Sequence, residues 1–197
     1  GTHYMDAVED YRRHLRKNDI ALTGAITDVK GDRSLRPSMQ KQHKDFYVRV
    51  VDKQKGGIVV RGAKMHISAI ASCSEVIVSP CRAHREEDKD YTVVFATPLN
   101  AKGITIIHMP MTIDGSTGEE AIWNYPSHGN TAATSETLLV FDDVFVPWNR
   151  VFMCGEWQYS RDIAWAFGTY HRLYSICHTV AESELITGAA ALIAEYN

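Results

Sequence analysis

The sequence lacks the features that would assign it at once to a membrane, to nucleic acid or to a disulfide-stapled scaffold. No apolar run approaches the roughly 18 to 20 residues that span a bilayer. Gly1 to Asp10 has none of the basic-then-apolar pattern of a signal peptide. Neither sign of charge gathers into a block: 21 Lys and Arg stand against 24 Asp and Glu, for a formal charge of −3. The basic stripe of a nucleic-acid or membrane-surface binder is therefore missing. Only four cysteines occur, Cys73, Cys81, Cys154 and Cys177, with no CxxC pair, in a chain of 197 residues that needs no disulfides to hold a core. Proline is scarce at 6 and glycine ordinary at 13, which excludes collagen-like and low-complexity chains. The expectation is a globular cytoplasmic protein with reduced thiols and no nucleic-acid or membrane partner.

What is present is hydrophobic patterning of two periods. Met5, Val8, Tyr11 and Leu15 recur at helical spacing until Lys17-Asn18-Asp19 ends the pattern. From Phe46 to Phe152 short runs rich in Val, Ile, Phe and Tyr follow: Phe46 to Val51, Gly57 to Arg61, Glu75 to Ser79, Tyr91 to Ala96, Ile104 to Met109 and Leu138 to Val146. Turn residues at Lys55-Gly56-Gly57, Thr97-Pro98-Leu99-Asn100, Asp114-Gly115 and Val146-Pro147 separate them, which predicts a β-barrel or sandwich. From Arg161 to Tyr196 the period is helical again, with Val180, Leu185, Ile186, Ala189, Leu192 and Ile193 among the apolar positions. A β-domain with a helix at each end, the last one apolar with nothing left to pack on it, reads as a portion of something larger.

Two stretches carry polar chemistry. Thr27, Asp28, Lys30, Asp32, Arg33 and Ser34 alternate donors and acceptors around Gly31. That pattern suits a charged surface loop, and equally a loop that holds a polar ring or phosphate. Arg61-Gly-Ala-Lys-Met-His-Ile-Ser68 leaves a strand, and the period of two places Lys64, His66 and Ser68 on one face.

Four blocks in order, Thr23 to Ser34, Gly57 to His66, Arg85 to Tyr91 and Val140 to Pro147, resemble the 4-hydroxybutyryl-CoA dehydratase/vinylacetyl-CoA isomerase branch of the 4-hydroxyphenylacetate 3-hydroxylase family. The resemblance implies an α+β fold: an acyl-CoA dehydrogenase-like middle β-barrel domain flanked by helices of incomplete N- and C-terminal helical domains. Residues 1–20 would be the last N-terminal helix, 21–155 the flavin-binding barrel and 156–197 the start of the C-terminal helical domain. It further implies FAD, a CoA thioester substrate within 4-hydroxybutyrate metabolism, and a homotetramer. Thr27, Asp28, Lys30, Gly31, Asp32, Arg33 and Ser34 would bind the flavin, with His66 nearby and Ser68 against the ring, where the family usually has threonine. Gly24 favours the CoA branch, because the aromatic hydroxylases carry a substrate-contacting histidine at that point.

The branch also uses a four-iron cluster held by three cysteines and one histidine. His171, between Tyr170 and Arg172, fits the family's histidine, but Ser175, His178 and Thr179 stand where tyrosine, cysteine and lysine are expected. Tyr174 and Cys177 each fall one residue early, a rotation of about 100° on a helix. His171, His178 and Cys177 are thus the candidate ligands of an incomplete set, and a cluster of the parent protein would not be assembled by this chain alone. His171 is also the candidate proton carrier, and Glu136 matches a glutamate near the family's active site. Arg85 to Asp90 reads as a solvated or intersubunit turn. Trp123, Trp148, Trp157 and Trp165 read as core or interface residues. The alternatives are a reduced-flavin-dependent aromatic hydroxylase of the 4-hydroxyphenylacetate type and a non-catalytic flavin-binding or oligomerisation fragment.

Overall fold

The computed structural model describes residues 4–109 and 136–196. Asp114-Gly115 and Trp123 lie outside the described residues. Helix α1 (Met5–Asn18) stops at Asp19, which turns left-handed at φ 50° and returns its N–H to the Leu15 carbonyl. Among the described residues eight strands follow: β1 (Leu22–Ala25), β2 (Arg49–Gln54), β3 (Gly57–Lys64), β4 (Glu75–Val78), β5 (Val93–Pro98), β6 (Ile104–Met109), β7 (Glu136–Pro147) and β8 (Val151–Cys154). Helix α2 (Ser160–Tyr196) ends the described chain. Two strands escape a reading by periodicity. β1 hides in the polar stretch with a glycine at its third position, and β8 follows Pro147 so closely that its apolar residues read as a continuation of β7.

The strands form two four-stranded sheets, β1-β4-β5-β8 and β2-β3-β7-β6. Pairing is antiparallel throughout except for β1 with β4. The expected barrel is therefore corrected: among the described residues the sheets stack as a sandwich and do not close. Alternation along β3 and β7 turns Val60, Leu139 and Val144 inward against Val76, Val78 and Val151 of the other sheet. Phe95 of β5 meets Phe141 of β7 edge to face, with ring centroids 5.7 Å apart. A bulge between Val60 and Gly62 bends β3 over this core. Gly62 has φ +130° there, and a Cβ would stand 2.6 Å from the Val48 Cα, so only glycine fits.

One ion pair lies inside this body. Lys64, at the end of β3, and Asp28, past β1, are 2% and 3% exposed, with Nζ 2.7 Å from Oδ1. The ammonium also donates to the carbonyls of Ile26 at 2.9 Å and Ser79 at 2.8 Å, so all three of its protons are placed. The carboxylate in turn accepts from the Val48 amide. The predicted common face for Lys64, His66 and Ser68 is wrong for this reason. The strand ends at Lys64, and His66 turns left-handed at φ 57°, which breaks the period.

The helices dock through polar anchors. Tyr11 of α1 donates to Glu75 at 2.7 Å, and Arg150 forks both Glu75 oxygens at 2.6 and 3.1 Å while lying over the Tyr11 ring. At the start of α2, Ser160 accepts from the His84 amide at 2.8 Å and donates to the Trp157 carbonyl at 2.6 Å. Beyond that turn α2 is mostly exposed and apolar all round, with Trp165 and Leu185 each 75% exposed. Scattered charges such as Arg172, Glu182 and Glu184 prevent an unbroken apolar run, yet an 18-residue window averages a hydropathy of 1.2. By length and composition the helix could therefore cross a membrane, which the run-based reading missed. Trp148 packs on the core and donates to the Gln54 carbonyl, and Trp157 is half-buried.

Removing one partner of a buried pair strands the other, so Lys64→Met is expected to destabilise the chain by about 3–5 kcal/mol in urea unfolding. Adding Asp28→Val should recover part of that loss. A second prediction concerns acid. Burial pushes the His84 imidazole down to about 4 from the usual 6.5, while its Nδ1 shares a hydrogen bond of 2.9 Å with Thr92. The unfolded chain takes up this proton first, so the stability contributed by neutral His84 is complete above pH 6.5 and is lost as pH falls toward 4. His84→Asn should flatten urea stability across that window relative to the parent.

Candidate functional site

Two adjoining cavities separate the β1 edge from the first turns of α2, and Ile26, Thr27 and Phe167 line both. The larger, about 520 Å³, is walled by Lys30, Arg33, Arg82 and Arg172, with no carboxylate in its lining. These cations come from three separate segments, and each is carried there by a distinct local structure. Tyr47, 2% exposed, also faces this cavity, and its hydroxyl has no hydrogen-bond partner. Burial raises that hydroxyl above its ordinary range, against the opposing effect of nearby Arg82. Cys81 on the same wall is likewise pushed up, first by burial and then by Asp28, and so stands as a thiol at neutral pH. Four positive groups and an unused buried donor suit an anionic, oxygen-rich ligand.

The loop bearing Lys30 and Arg33 is held from below. Gly31 has φ +54°, and a Cβ there would run into the Phe46 ring and stand 2.6 Å from Gln40 Oε1. Gln40, buried, accepts from the Asp32 amide at 3.0 Å and donates to the Asp32 carbonyl at 2.8 Å. The Asp32 carboxylate accepts from the Ser34 amide and hydroxyl, which holds it below its usual pKa. Farther along, Asp88 is fully buried and accepts from Arg36, from the Ser38 amide at 3.1 Å, from the Ser38 hydroxyl at 2.6 Å and from the Arg85 amide at 3.2 Å. Burial alone would raise its pKa, but the Ser38 and Arg36 hydrogen bonds outweigh it and keep it low. The segment Arg85 to Asp90, read as a solvated turn, thus contributes the loop's deepest anchor. Asp28 is corrected too: its carboxylate faces Lys64 inside the protein, so its part in the loop is to fix the backbone.

The smaller cavity, about 290 Å³, is lined by Thr23, Gly24, His66, Ser68 and His171 besides the shared residues. Ser68 donates to Glu136 Oε1 at 3.2 Å, and His66 Nδ1 lies 3.3 Å from Glu136 Oε2. Thr23 donates to the Ser68 carbonyl at 3.1 Å. Across from them His171 stacks on Phe167, 5.3 Å between centroids and 21° from parallel. The structure thereby brings together Thr27, His66, Ser68, Glu136 and His171, which lie far apart in the sequence.

It does not bring together His171, Cys177 and His178. Cys177 is exposed, and His178 lies 3.4 Å from Glu182 one turn along the helix. Among the described residues no three His, Cys, Asp or Glu side chains converge on a metal position. Gln40, Tyr47, Arg82, Asp88 and Arg172 were not singled out from the sequence. A lone Gln or Tyr carries no local pattern, and only the Asp-rich turn around Asp88 offered a signal.

A sequence model described as the N-terminal part of 4-hydroxyphenylacetate 3-hydroxylase matches residues 1–153. The chain belongs to the 4-hydroxyphenylacetate 3-hydroxylase family. Within it, the chain is 39% identical over its whole length to 4-hydroxybutyryl-CoA dehydratase/vinylacetyl-CoA-Δ-isomerase of Clostridium aminobutyricum, covering 40% of that protein. It is 30% identical over 98% of its length to the 4-hydroxyphenylacetate 3-monooxygenase oxygenase component of Thermus thermophilus, covering 39% of it. Among solved structures, the 4-hydroxybutyryl-CoA dehydratase of N. maritimus superimposes with a TM-score of 0.71 at 34% identity, over 81% of this chain and 31% of that one. A 4-hydroxyphenylacetate 3-monooxygenase oxygenase component in complex with FAD gives 0.69 at 30% identity, over 83% and 32%. The chain spans about two fifths of the length of these curated relatives.

Gly31→Ala should cost about 1–3 kcal/mol, since it combines a left-handed backbone with a blocked Cβ. Chemical denaturation measures the loss, and Gln40→Ala is expected to fall in the same direction.

Proposed function

We propose that this chain is the central part of a flavin-dependent enzyme acting on a C4 acyl-CoA, a vinylacetyl-CoA Δ-isomerase of the 4-hydroxybutyryl-CoA dehydratase type. The observation that carries the reading is the 39% identity maintained over the whole chain with an enzyme of that name, against 30% for the Thermus hydroxylase component. Gly24 supports it. It leaves the cavity without a side chain at the point where the Ile26 and Phe167 side chains approach a Cβ position only to 3.9 and 4.0 Å.

The residues present fit FAD. Lys30, Arg33, Arg82 and Arg172 would take its phosphates, with the unpartnered Tyr47 hydroxyl as a further donor, and Thr27 and Ser68 would border it, while Gly31 and Ser34 would shape the loop. Bound flavin supplies electron-accepting and electron-donating capacity. The residues do not fit an iron–sulfur cluster, given the separate surroundings of His171, Cys177 and His178.

The protein's own part is proton transfer. A hydrogen α to a thioester carbonyl is acidic enough for an imidazole, and His171 has its ring plane fixed by Phe167 on the cavity wall. Removing that hydrogen and protonating the γ-carbon converts vinylacetyl-CoA to crotonyl-CoA. Division into 1–20, 21–155 and 156–197, acyl-CoA dehydrogenase-like architecture, homotetramer assembly and a cytoplasmic setting belong to the same proposal. In it α2 packs into a helical bundle, which accounts for its apolar circumference.

The aromatic-hydroxylase reading is favoured by one feature, the Ser175, His178 and Thr179 positions that depart from the dehydratase pattern. Full-length protein containing this chain, incubated with vinylacetyl-CoA, is expected to yield crotonyl-CoA with flavin bound. Oxygen-dependent hydroxylation of a phenol by reduced flavin, without turnover of the thioester, would replace the proposal with the second reading. Failure to shift the flavin spectrum on titration would leave a non-catalytic fragment.

A further inference from the structure

We infer that His66 is a second proton carrier of the small cavity, oriented for that role by Glu136. The inference rests on the reading of the site as one for isomerising a carbon acid next to a carbonyl.

Glu136 opens β7 and reaches two residues of the β3–β4 connection. Its Oε1 accepts the Ser68 hydroxyl at 3.2 Å, which fixes the carboxylate plane. Its Oε2 is shut off from solvent and makes no hydrogen bond, with His66 Nδ1 at 3.3 Å. A buried carboxylate oxygen in that position wants a donor, and an Nδ1–H is the donor at hand. With Nδ1 committed to Glu136, Nε2 is the nitrogen left for the cavity that His66 lines together with His171. A carboxylate on Nδ1 both selects the tautomer and stabilises the imidazolium, which is how carboxylates serve catalytic histidines generally.

The two histidines stand on different walls, His66 on the sandwich and His171 on α2. In the step this allows, His171 takes the α-proton of the thioester and leaves the dienolate, its electron pair spread to the γ-carbon. His66 imidazolium then gives its Nε2 proton to the γ-carbon, and the conjugated product forms. One proton leaves the substrate and one enters it, and both rings return to their starting states by exchange with solvent. Glu136 is on this account a positioning residue.

The test uses full-length protein with vinylacetyl-CoA in D₂O, following α-hydrogen exchange and crotonyl-CoA separately by NMR. Asn tolerates the left-handed backbone, so His66→Asn keeps the fold. It is expected to lower crotonyl-CoA formation by about 10²–10⁴-fold while α-exchange persists. Isomerisation at the parent rate in H66N, or loss of exchange together with isomerisation, would overturn the inference. Absence of exchange in the parent protein would instead reject the underlying reading. Ring-nitrogen spectra supply the readout for Glu136: Nδ1–H is expected to predominate in the parent, and Glu136→Ala, which removes the acceptor, should abolish that preference, whereas E136Q keeps a carbonyl that can accept. Spectra indifferent to Glu136→Ala would overturn the orienting role of Glu136.

Discussion

The buried pair of Lys64 and Asp28 is the constraint on which the remaining geometry depends. An ammonium taken out of water is costly unless every proton finds an acceptor, and here the three acceptors come from two segments: Asp28 and the Ile26 carbonyl just past β1, and the Ser79 carbonyl just past β4. The pair therefore fixes the end of β3, the exit of β1 and the exit of β4 relative to one another. Those exits are the points from which the two cavities are built. Thr27 precedes Asp28, His66 follows Lys64 by two residues, and Cys81 and Arg82 follow Ser79. A hydrophobic replacement could serve stability equally well, but it would not hold two carbonyls from separate segments to one point.

A hierarchy of rigidity follows. The sandwich holds Lys64, Gln40 and Asp88 hold the loop, and the loop presents Lys30 and Arg33. Each level is anchored by buried hydrogen bonds that do not draw on Lys30 or Arg33, so these two cations are presented to the cavity. That separation of buried anchors from presented charges is what a binding loop needs if its own charges are not to neutralise one another.

Much of the architecture was legible in the sequence. Both helices and six strands follow from periodicity and turn residues, because alternating burial in β3 and β7 writes itself into alternating residue types. β1 and β8 were not legible, being four residues long, one interrupted by glycine and the other adjoining a longer strand. Barrel closure could not be told from a sandwich, since both need the same short strands. In the site, His66, Ser68, Glu136 and His171 were found by resemblance and are brought together in space. Asp28 and Lys64 misled because a charged residue in a polar stretch looks exposed, whereas these two neutralise each other inside. Asp88 misled in the same way. Arg82 carried no signal, and Arg172 entered only as a flank of His171, because what places both on the cavity wall is the approach of α2 to the loop, a tertiary fact.

That approach has a thermodynamic side. Helix α2 is joined to the sandwich near Ser160, and its wall of the cavities, bearing Phe167, His171 and Arg172, extends beyond that anchor. A ligand seated between loop and helix touches both walls at once, so it acts as a clasp. Ligand occupancy and the seating of α2 are then one linked equilibrium: whatever strengthens either strengthens the other by the same free energy.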